Sequence, residues 1–271
     1  MRIGRLIYLN SAPFYYGLDR GLVKAPEMQI IPGVPAELNQ MMAQGDLDIS
    51  VISAIVYARY HHELVLLPDL CVSANGPVMS VLLISKVDPS QLDGKKVALT
   101  TSSATAQALV KVLLHEMYKV SVEYITLPPN RDAMLEAADA CLIIGDDALL
   151  LEPDPTLKVY DLGQLWKAFT GLPMVFAVVA ARRAFASRYP DKLAKLSIAM
   201  HQSVHLALNS VDDFSNEDRF RRVSQRISLS NYFRHLSFSF DEQRQKGLLS
   251  YYEKAARLSL CPECRSLEFC G

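Results

Sequence analysis

The residues best equipped for chemistry stand where apolar runs end. Thr100-Thr101-Ser102-Ser103-Ala104-Thr105 follows one such run and opens a strongly periodic apolar segment. Its hydroxyls therefore sit beside the free backbone N–H groups and positive dipole of a helix start. A cap needs one hydroxyl, so the surplus points to an anion held by Thr101, Ser102, Ser103, Ala104 and Thr105; a hydroxyl-rich turn is the competing reading. After Ile3–Leu9, Asn10 and Ser11 offer an amide and a hydroxyl without formal charge, suited to orienting a substrate hydroxyl or carboxylate. They suit equally the capping of a helix that opens at Pro13. Ser53, at the end of Asp48–Ser53, has the same two readings. Gly145-Asp146-Asp147 follows Ala140–Ile144. Gly145 allows close approach of a ligand, and Asp146 can act as a base, bind a hydroxyl or cap a helix. Thr170-Gly171-Leu172-Pro173 forms a rigid turn, with Pro173 able to offer backbone groups to a ligand.

Other chemistries lack their residues. No Gly-x-x-x-x-Gly-Lys or Gly-x-Gly-x-x-Gly occurs, which disfavours a nucleotide phosphate, and no Gly-x-Ser-x-Gly elbow occurs either. His201 and His205 have the spacing of a metal pair without the glutamate of His-Glu-x-x-His, so they read as a helix face. Cys261, Cys264 and Cys270 cluster near the C-terminus. With His235 they could make a zinc set, but three thiols alone fall short of the usual four ligands, and reactive or incidental thiols are the favoured reading. Cys71 and Cys141 lie in apolar runs and read as core.

The elements that must position these residues follow from hydropathy. Half of the 271 residues are hydrophobic and the formal net charge is −1, a composition that disfavours disorder and a nucleic-acid partner. No run approaches the ~18 apolar residues of a membrane span. The opening Met1–Tyr8 lacks a secretory h-region, so the expected location is cytoplasmic, with no membrane partner. Short apolar strands alternate with amphipathic helices in two βαβ series. Strands are expected at Arg2–Leu9, Met28–Ile31, Asp48–Ser53, Lys95–Leu99, Val122–Leu127 and Ala140–Ile144, and helices at Ala104–Tyr118 and Leu165–Phe169. From Ala184 onward the pattern is helical: Asp191–Asn209, Asn216–Ile227, Ser230–Leu236 and Asp241–Leu258. Two continuous apolar runs, Met79–Ser85 and Met174–Ala181, connect the two series as paired crossings. This predicts an α/β, two-lobed, periplasmic-binding-protein-like fold with a ligand cleft between the lobes and a helical C-terminal part. Lobe one is expected at residues 1–86 and 178–271, and lobe two at 87–177. A single wide doubly wound sheet is the alternative.

Several blocks of the sequence resemble the chorismate dehydratase family of the futalosine route to menaquinone. They are RIGRLIYLNSAPF (Arg2–Phe14), LDGKKVALTTSSAT (Leu92–Thr105), IGDDAL (Ile144–Leu149), YDLG (Tyr160–Gly163) and WKAFTGLPMVFA (Trp166–Ala177). The resemblance covers residues 2–177 in order and does not extend to the cysteine tail. It implies a type II fold of this kind without a transport role. It further implies a carbon–oxygen lyase that dehydrates chorismate to 3-[(1-carboxyvinyl)oxy]benzoate, with no metal or organic cofactor. The partner is then a small dicarboxylate substrate. Asn10 would sit at the reacting centre, while Ser53 and the Thr101–Thr105 loop would hold carboxylates. The base is left open between Asp146 and the substrate's own enolpyruvyl carboxylate, and the oligomeric state is not specified. A solute-binding or sensory module for a small carboxylate would share the lobes. So would the sister dihydroxynaphthoate synthase, which is expected to place a histidine in the cleft; the strand-end loops contain none.

Overall fold

The computed structural model describes residues 1–270. Its first part runs β1 (Arg2–Leu6), α1 (Pro13–Asp19), β2 (Gln29–Gly33), α2 (Pro35–Gln44), β3 (Ile49–Ser53), α3 (Ala54–Tyr60) and the long β4 (Leu64–Ala74). Pro13 and Pro35 open their helices, where a missing N–H removes no bond. The middle part runs β5 (Val81–Ser85), β6 (Lys96–Thr100), α4 (Ala104–Val112), β7 (Glu123–Leu127), α5 (Arg131–Ala137), β8 (Ala140–Ile144), α6 (Asp146–Leu149), β9 (Lys158–Asp161) and α7 (Leu162–Thr170). The chain then returns through β10 (Met174–Arg182) to α8 (Arg183–Arg188), α9 (Pro190–Asn209), α10 (Arg221–Arg226), α11 (Leu229–His235), β11 (Leu236–Ser237) and α12 (Glu242–Arg257).

The strands form two sheets, ordered β11-β4-β10-β3-β1-β2 and β7-β6-β8-β5-β9. In the first, β1 lies parallel to β2 and β3, while β10 is antiparallel to β3 and β4. In the second, β6 is parallel to β7 and β8, and β5 is antiparallel to β8 and β9. Each sheet thus contains one antiparallel strand at a crossing. Met174–Ala181 is buried along its whole length, as a strand covered on both faces must be.

Sheet membership moves both expected lobe edges. β5 belongs entirely to the second sheet and β10 entirely to the first, so the crossings are residues 75–80 and 171–173 rather than positions near 86 and 177. Hydropathy marks a strand as central; it carries no information about which sheet the strand is central to. The first crossing is fixed by Asp161, whose carboxylate accepts from Val78 N–H at 3.0 Å and Met79 N–H at 2.7 Å and also caps α7 through Gly163 N–H at 2.9 Å. That cap starts α7 at Leu162, ahead of the expected Leu165. At the second crossing, Gly247 of α12 is required by close approach: a Cβ there would lie 2.2 Å from the Pro173 carbonyl oxygen.

Other departures are local. β1 stops at Leu6 because the chain tightens into a 3₁₀ turn at Leu9–Ser11. The long helix expected to Tyr118 ends as α4 and continues as a π turn, Leu113–Met117. Beyond α12 the tail lies along β4, with Leu66 N–H donating to the Glu268 carbonyl at 2.8 Å and Cys270 N–H to the Leu66 carbonyl at 2.9 Å. Cys71, Cys141, Cys261 and Cys264 are buried, and all the cysteines are free thiols. Among the described residues no group of three or more His, Cys, Asp or Glu is placed to hold a metal ion, and no helix is long and apolar enough to cross a membrane.

Candidate active site between the lobes

Asn10 is presented by the 3₁₀ turn that follows β1. The Ser11 hydroxyl donates to the carbonyls of Leu6 at 3.0 Å and Tyr8 at 2.9 Å, and the Ser11 N–H donates to Tyr8 at 3.1 Å. Ser11 is buried and fastens the turn, so it does not offer the ligand contact expected of it. The turn leaves the Asn10 side chain at the lobe junction, where its Oδ1 is buried without any hydrogen-bond partner. A buried acceptor left unpaired costs about 1–3 kcal/mol, and no other buried side-chain polar atom among the described residues is in that state.

Ser53 ends β3 and is buried. Its N–H donates to Asn39 Oδ1 and its Oγ accepts from Asn39 Nδ2, both at 3.2 Å. The pairing fixes Ser53 and leaves its own O–H proton for an outside acceptor.

The hydroxyl loop of lobe two divides its duties. Thr100 Oγ1 accepts from Ser102 N–H at 3.2 Å, and Ser103 caps α4 by accepting from Ala106 N–H at 3.3 Å. Thr105 is buried and spans the lobes: its Oγ1 accepts from Ile55 N–H at 3.2 Å, and its carbonyl accepts from the Tyr251 hydroxyl at 3.0 Å. Tyr252, the next residue of α12, donates to the Ala54 carbonyl at 2.6 Å. The Ser103 and Thr105 oxygens thus accept from scaffold amides, which fixes both side chains and leaves their own O–H protons unassigned among these bonds. Thr101 is exposed, Ser102 lies near the Tyr8 phenol, and Ala104 opens α4, whose first N–H groups have no intrahelical acceptor.

Gly145 and Asp146 meet lobe one directly. Gly145 has φ 67° and ψ −145°, a region reserved for glycine, and a Cβ there would lie 3.1 Å from the Tyr8 ring. Its N–H donates to the Ser80 carbonyl at 2.8 Å. Asp146 Oδ1 accepts from Leu9 N–H at 3.1 Å. Burial pushes the Asp146 carboxyl up to about 6; Asp147 adds to the rise, while the Leu9 amide and Arg219 oppose it. Beside it opens a cavity of about 690 Å³ whose lining includes Arg5, Tyr8, Asp19, Asp146 and Arg219. Arg5 and Asp19 form an ion pair there, and Arg219 pairs with Glu217 at 2.6 Å.

Pro173 is not brought to this site as a ligand group. Its carbonyl accepts from the Trp166 indole N–H at 3.2 Å and lies against Gly247, so it belongs to the crossing. Three residues that do reach the site were not picked out from sequence. Tyr8 packs on Gly145, Asn39 holds Ser53, and Ser80 accepts from the buried Tyr232 hydroxyl at 2.9 Å. Ser80 had a visible signal, being the one polar residue in Val78–Ile84; Asn39 had none beyond a place on a half-buried helix face.

The sequence matches the model of the menaquinone biosynthesis family over residues 1–257. The chain belongs to that family. It is 31% identical over 262 residues to the chorismate dehydratase of Thermus thermophilus, covering 91% of this chain and 92% of that one. The chorismate dehydratase of Campylobacter jejuni is 33% identical, covering 65% of this chain and 66% of its own. The 1,4-dihydroxy-6-naphtoate synthase of Thermus thermophilus is 25% identical, with 98% of each chain covered. Among solved structures, a protein from Archaeoglobus fulgidus superposes with a TM-score of 0.73 at 23% identity, covering 96% of this chain and 97% of that one. The alkanesulfonate-binding protein of Xanthomonas axonopodis, bound to MOPS, gives 0.69 at 16% identity, covering 98% and 95%. These likenesses establish the fold, which is the two-lobed periplasmic-binding-protein-like one.

Proposed function

We propose that this member of the family is a chorismate dehydratase, a carbon–oxygen lyase that removes water from chorismate to give 3-[(1-carboxyvinyl)oxy]benzoate. The observation that carries the reading is the unpartnered Oδ1 of Asn10, buried at the lobe junction and waiting for an O–H donor. The ring hydroxyl of chorismate is such a donor. The family match and the named dehydratase relatives supply the substrate class.

The reaction breaks a C–H bond at the ring carbon bearing the ether and a C–O bond at its neighbour, and the released electron pair completes an aromatic ring. Aromatisation supplies much of the driving force, so the protein's task is to fix a dianion, orient the leaving hydroxyl and exclude water. Asn10 accepts a hydrogen bond from the ring hydroxyl at Oδ1 and offers its own N–H toward charge developing on the departing oxygen. Ser53, with its free O–H proton, Thr101, Ser102 and the N–H groups opening α4 hold the carboxylates. The ring C–H proton passes to the substrate's enolpyruvyl carboxylate and from there to the departing hydroxide, which leaves as water; a base carried by the substrate accounts for strand-end loops without histidine. The same lack of histidine separates this reading from the naphthoate synthase one. A cytoplasmic location fits the free thiols.

The test is direct. Purified protein mixed with chorismate should develop a benzoate-type ultraviolet spectrum, with product mass lower than substrate by one water. Binding of chorismate without conversion would overturn the dehydratase assignment in favour of a solute-binding role.

A further inference from the structure

At the lobe junction, two successive residues of each lobe interlock, and a third residue of lobe one follows them. The Tyr8 ring lies on Gly145, whose missing Cβ leaves the room; the Leu9 N–H is held by Asp146 Oδ1 at 3.1 Å; and Asn10 follows with its amide oxygen unpartnered. Asn10 therefore follows directly on a peptide group pinned at both ends, its Leu9 N–H held from lobe two and its Tyr8 carbonyl held by Ser11. One of those pins exists only while the lobes are together.

We infer that Asp146 is a positioning residue for the dehydration, a latch from lobe two that sets the Asn10 turn when the cleft closes. This rests on the proposed dehydratase reading and assigns Asp146 a task other than proton abstraction. Closure would couple directly to catalysis, because the turn that carries Asn10 is completed by a group on the opposite lobe. The charged groups facing Asp146 are Asp147 from its own helix and Arg219 from the helical part, which also reaches Asp19 at 3.9 Å. What the latch needs from residue 146 is an acceptor oxygen at the Leu9 amide. An asparagine side chain keeps one; an alanine does not.

The experiment compares wild type, Asp146→Asn and Asp146→Ala by steady-state kinetics on chorismate and by amide hydrogen exchange at Leu9. Asp146→Asn is expected to hold kcat within about threefold and to keep the Leu9 amide protected. Asp146→Ala is expected to lose about ten- to thirtyfold in kcat, with KM changed less than threefold and Leu9 exchange at least tenfold faster. Abolished turnover in Asp146→Asn with Leu9 still protected and chorismate still bound would make Asp146 the base and overturn the latch. Equal Leu9 exchange in all the proteins would overturn it too. Should Asp146→Ala fail to fold, the asparagine variant decides alone, since loss of its turnover with binding retained is fatal to the inference. If wild type does not convert chorismate while the exchange pattern holds, the dehydratase reading falls and the latch stands.

Discussion

Replacing Asn10 by alanine should separate activity from stability, and do so with opposite signs. In the ligand-free protein the Asn10 Oδ1 is buried with no donor. Such a group costs about 1–3 kcal/mol, and deleting it recovers that cost less the small packing contribution of the amide. The net change should be about +1 kcal/mol of stability, or roughly 2–4 °C in Tm for a chain of this size. Catalysis should move the other way. Removing a hydrogen-bonding group aimed at a charge that develops in the transition state costs about 10²–10³ in kcat. The assays are differential scanning calorimetry without ligand and the ultraviolet appearance of the benzoate product. A second calorimetric series with saturating chorismate should show a smaller ligand-induced rise in Tm for the variant than for wild type. If Asn10→Ala instead unfolds several degrees below wild type, the amide is a scaffold element with partners of its own, and the reasoning from an unpartnered oxygen is refuted. Unchanged kcat would refute its placement at the reacting centre.

Stability should depend on pH through Asp146. Its carboxyl is raised to about 6 in the folded protein from an ordinary 3.8, so the folded state holds the proton more tightly and stability falls as pH rises between those values. Asp146→Asn should therefore match wild type in Tm near pH 3.5 and exceed it near pH 7.5, by up to about 2–3 kcal/mol, in parallel thermal melts. Thr105→Val removes the acceptor for the Ile55 N–H at 3.2 Å and strands a buried donor. It should cost about 1–3 kcal/mol in urea titration. Gly247→Ala puts a Cβ 2.2 Å from the Pro173 carbonyl oxygen, which backbone cannot yield cheaply, so a loss of about 2 kcal/mol or more, or failure to accumulate as folded protein, is expected by circular dichroism. A well-folded Gly247→Ala protein with wild-type Tm would mean that the crossing packs differently.

The sequence made the alternation of strand and helix, the paired crossings and the polar strand ends readable, because each is a local pattern. Ala140–Ile144 and Ile49–Ser53 are apolar enough to announce themselves as buried strands. What stayed hidden was the destination of each hydroxyl. Ser11, Ser103 and Thr105 look alike on the page, yet one ties a turn, one caps a helix and one bridges the lobes. A hydroxyl's partner is chosen by tertiary neighbours such as Ile55 and Tyr251, which lie 50 and 146 residues away from Thr105. The same limit explains the displaced lobe edges, since Val81–Ser85 gives no sign of pairing with β8 rather than with β4. Asn10 was legible as a polar group without charge, but the solitude of its oxygen is a property of the folded junction alone.

The neighbouring tyrosines of α12 give the cleft a fixed side and a free side. Tyr251 is bonded to Thr105 of lobe two and Tyr252 to Ala54 of lobe one, so a single helix rivets both halves at one margin. At the opposite margin the lobes are joined through Tyr8 and Gly145, the Leu9–Asp146 amide–carboxylate bond and the Arg226–Glu152 ion pair at 2.7 Å. Parting the lobes then resembles opening a door, with α12 as its pin and the Tyr8 edge swinging. A ligand passing that swinging edge would meet an adjoining cavity in which Arg5 and Arg219 stand beside the carboxylates of Asp19 and Asp146.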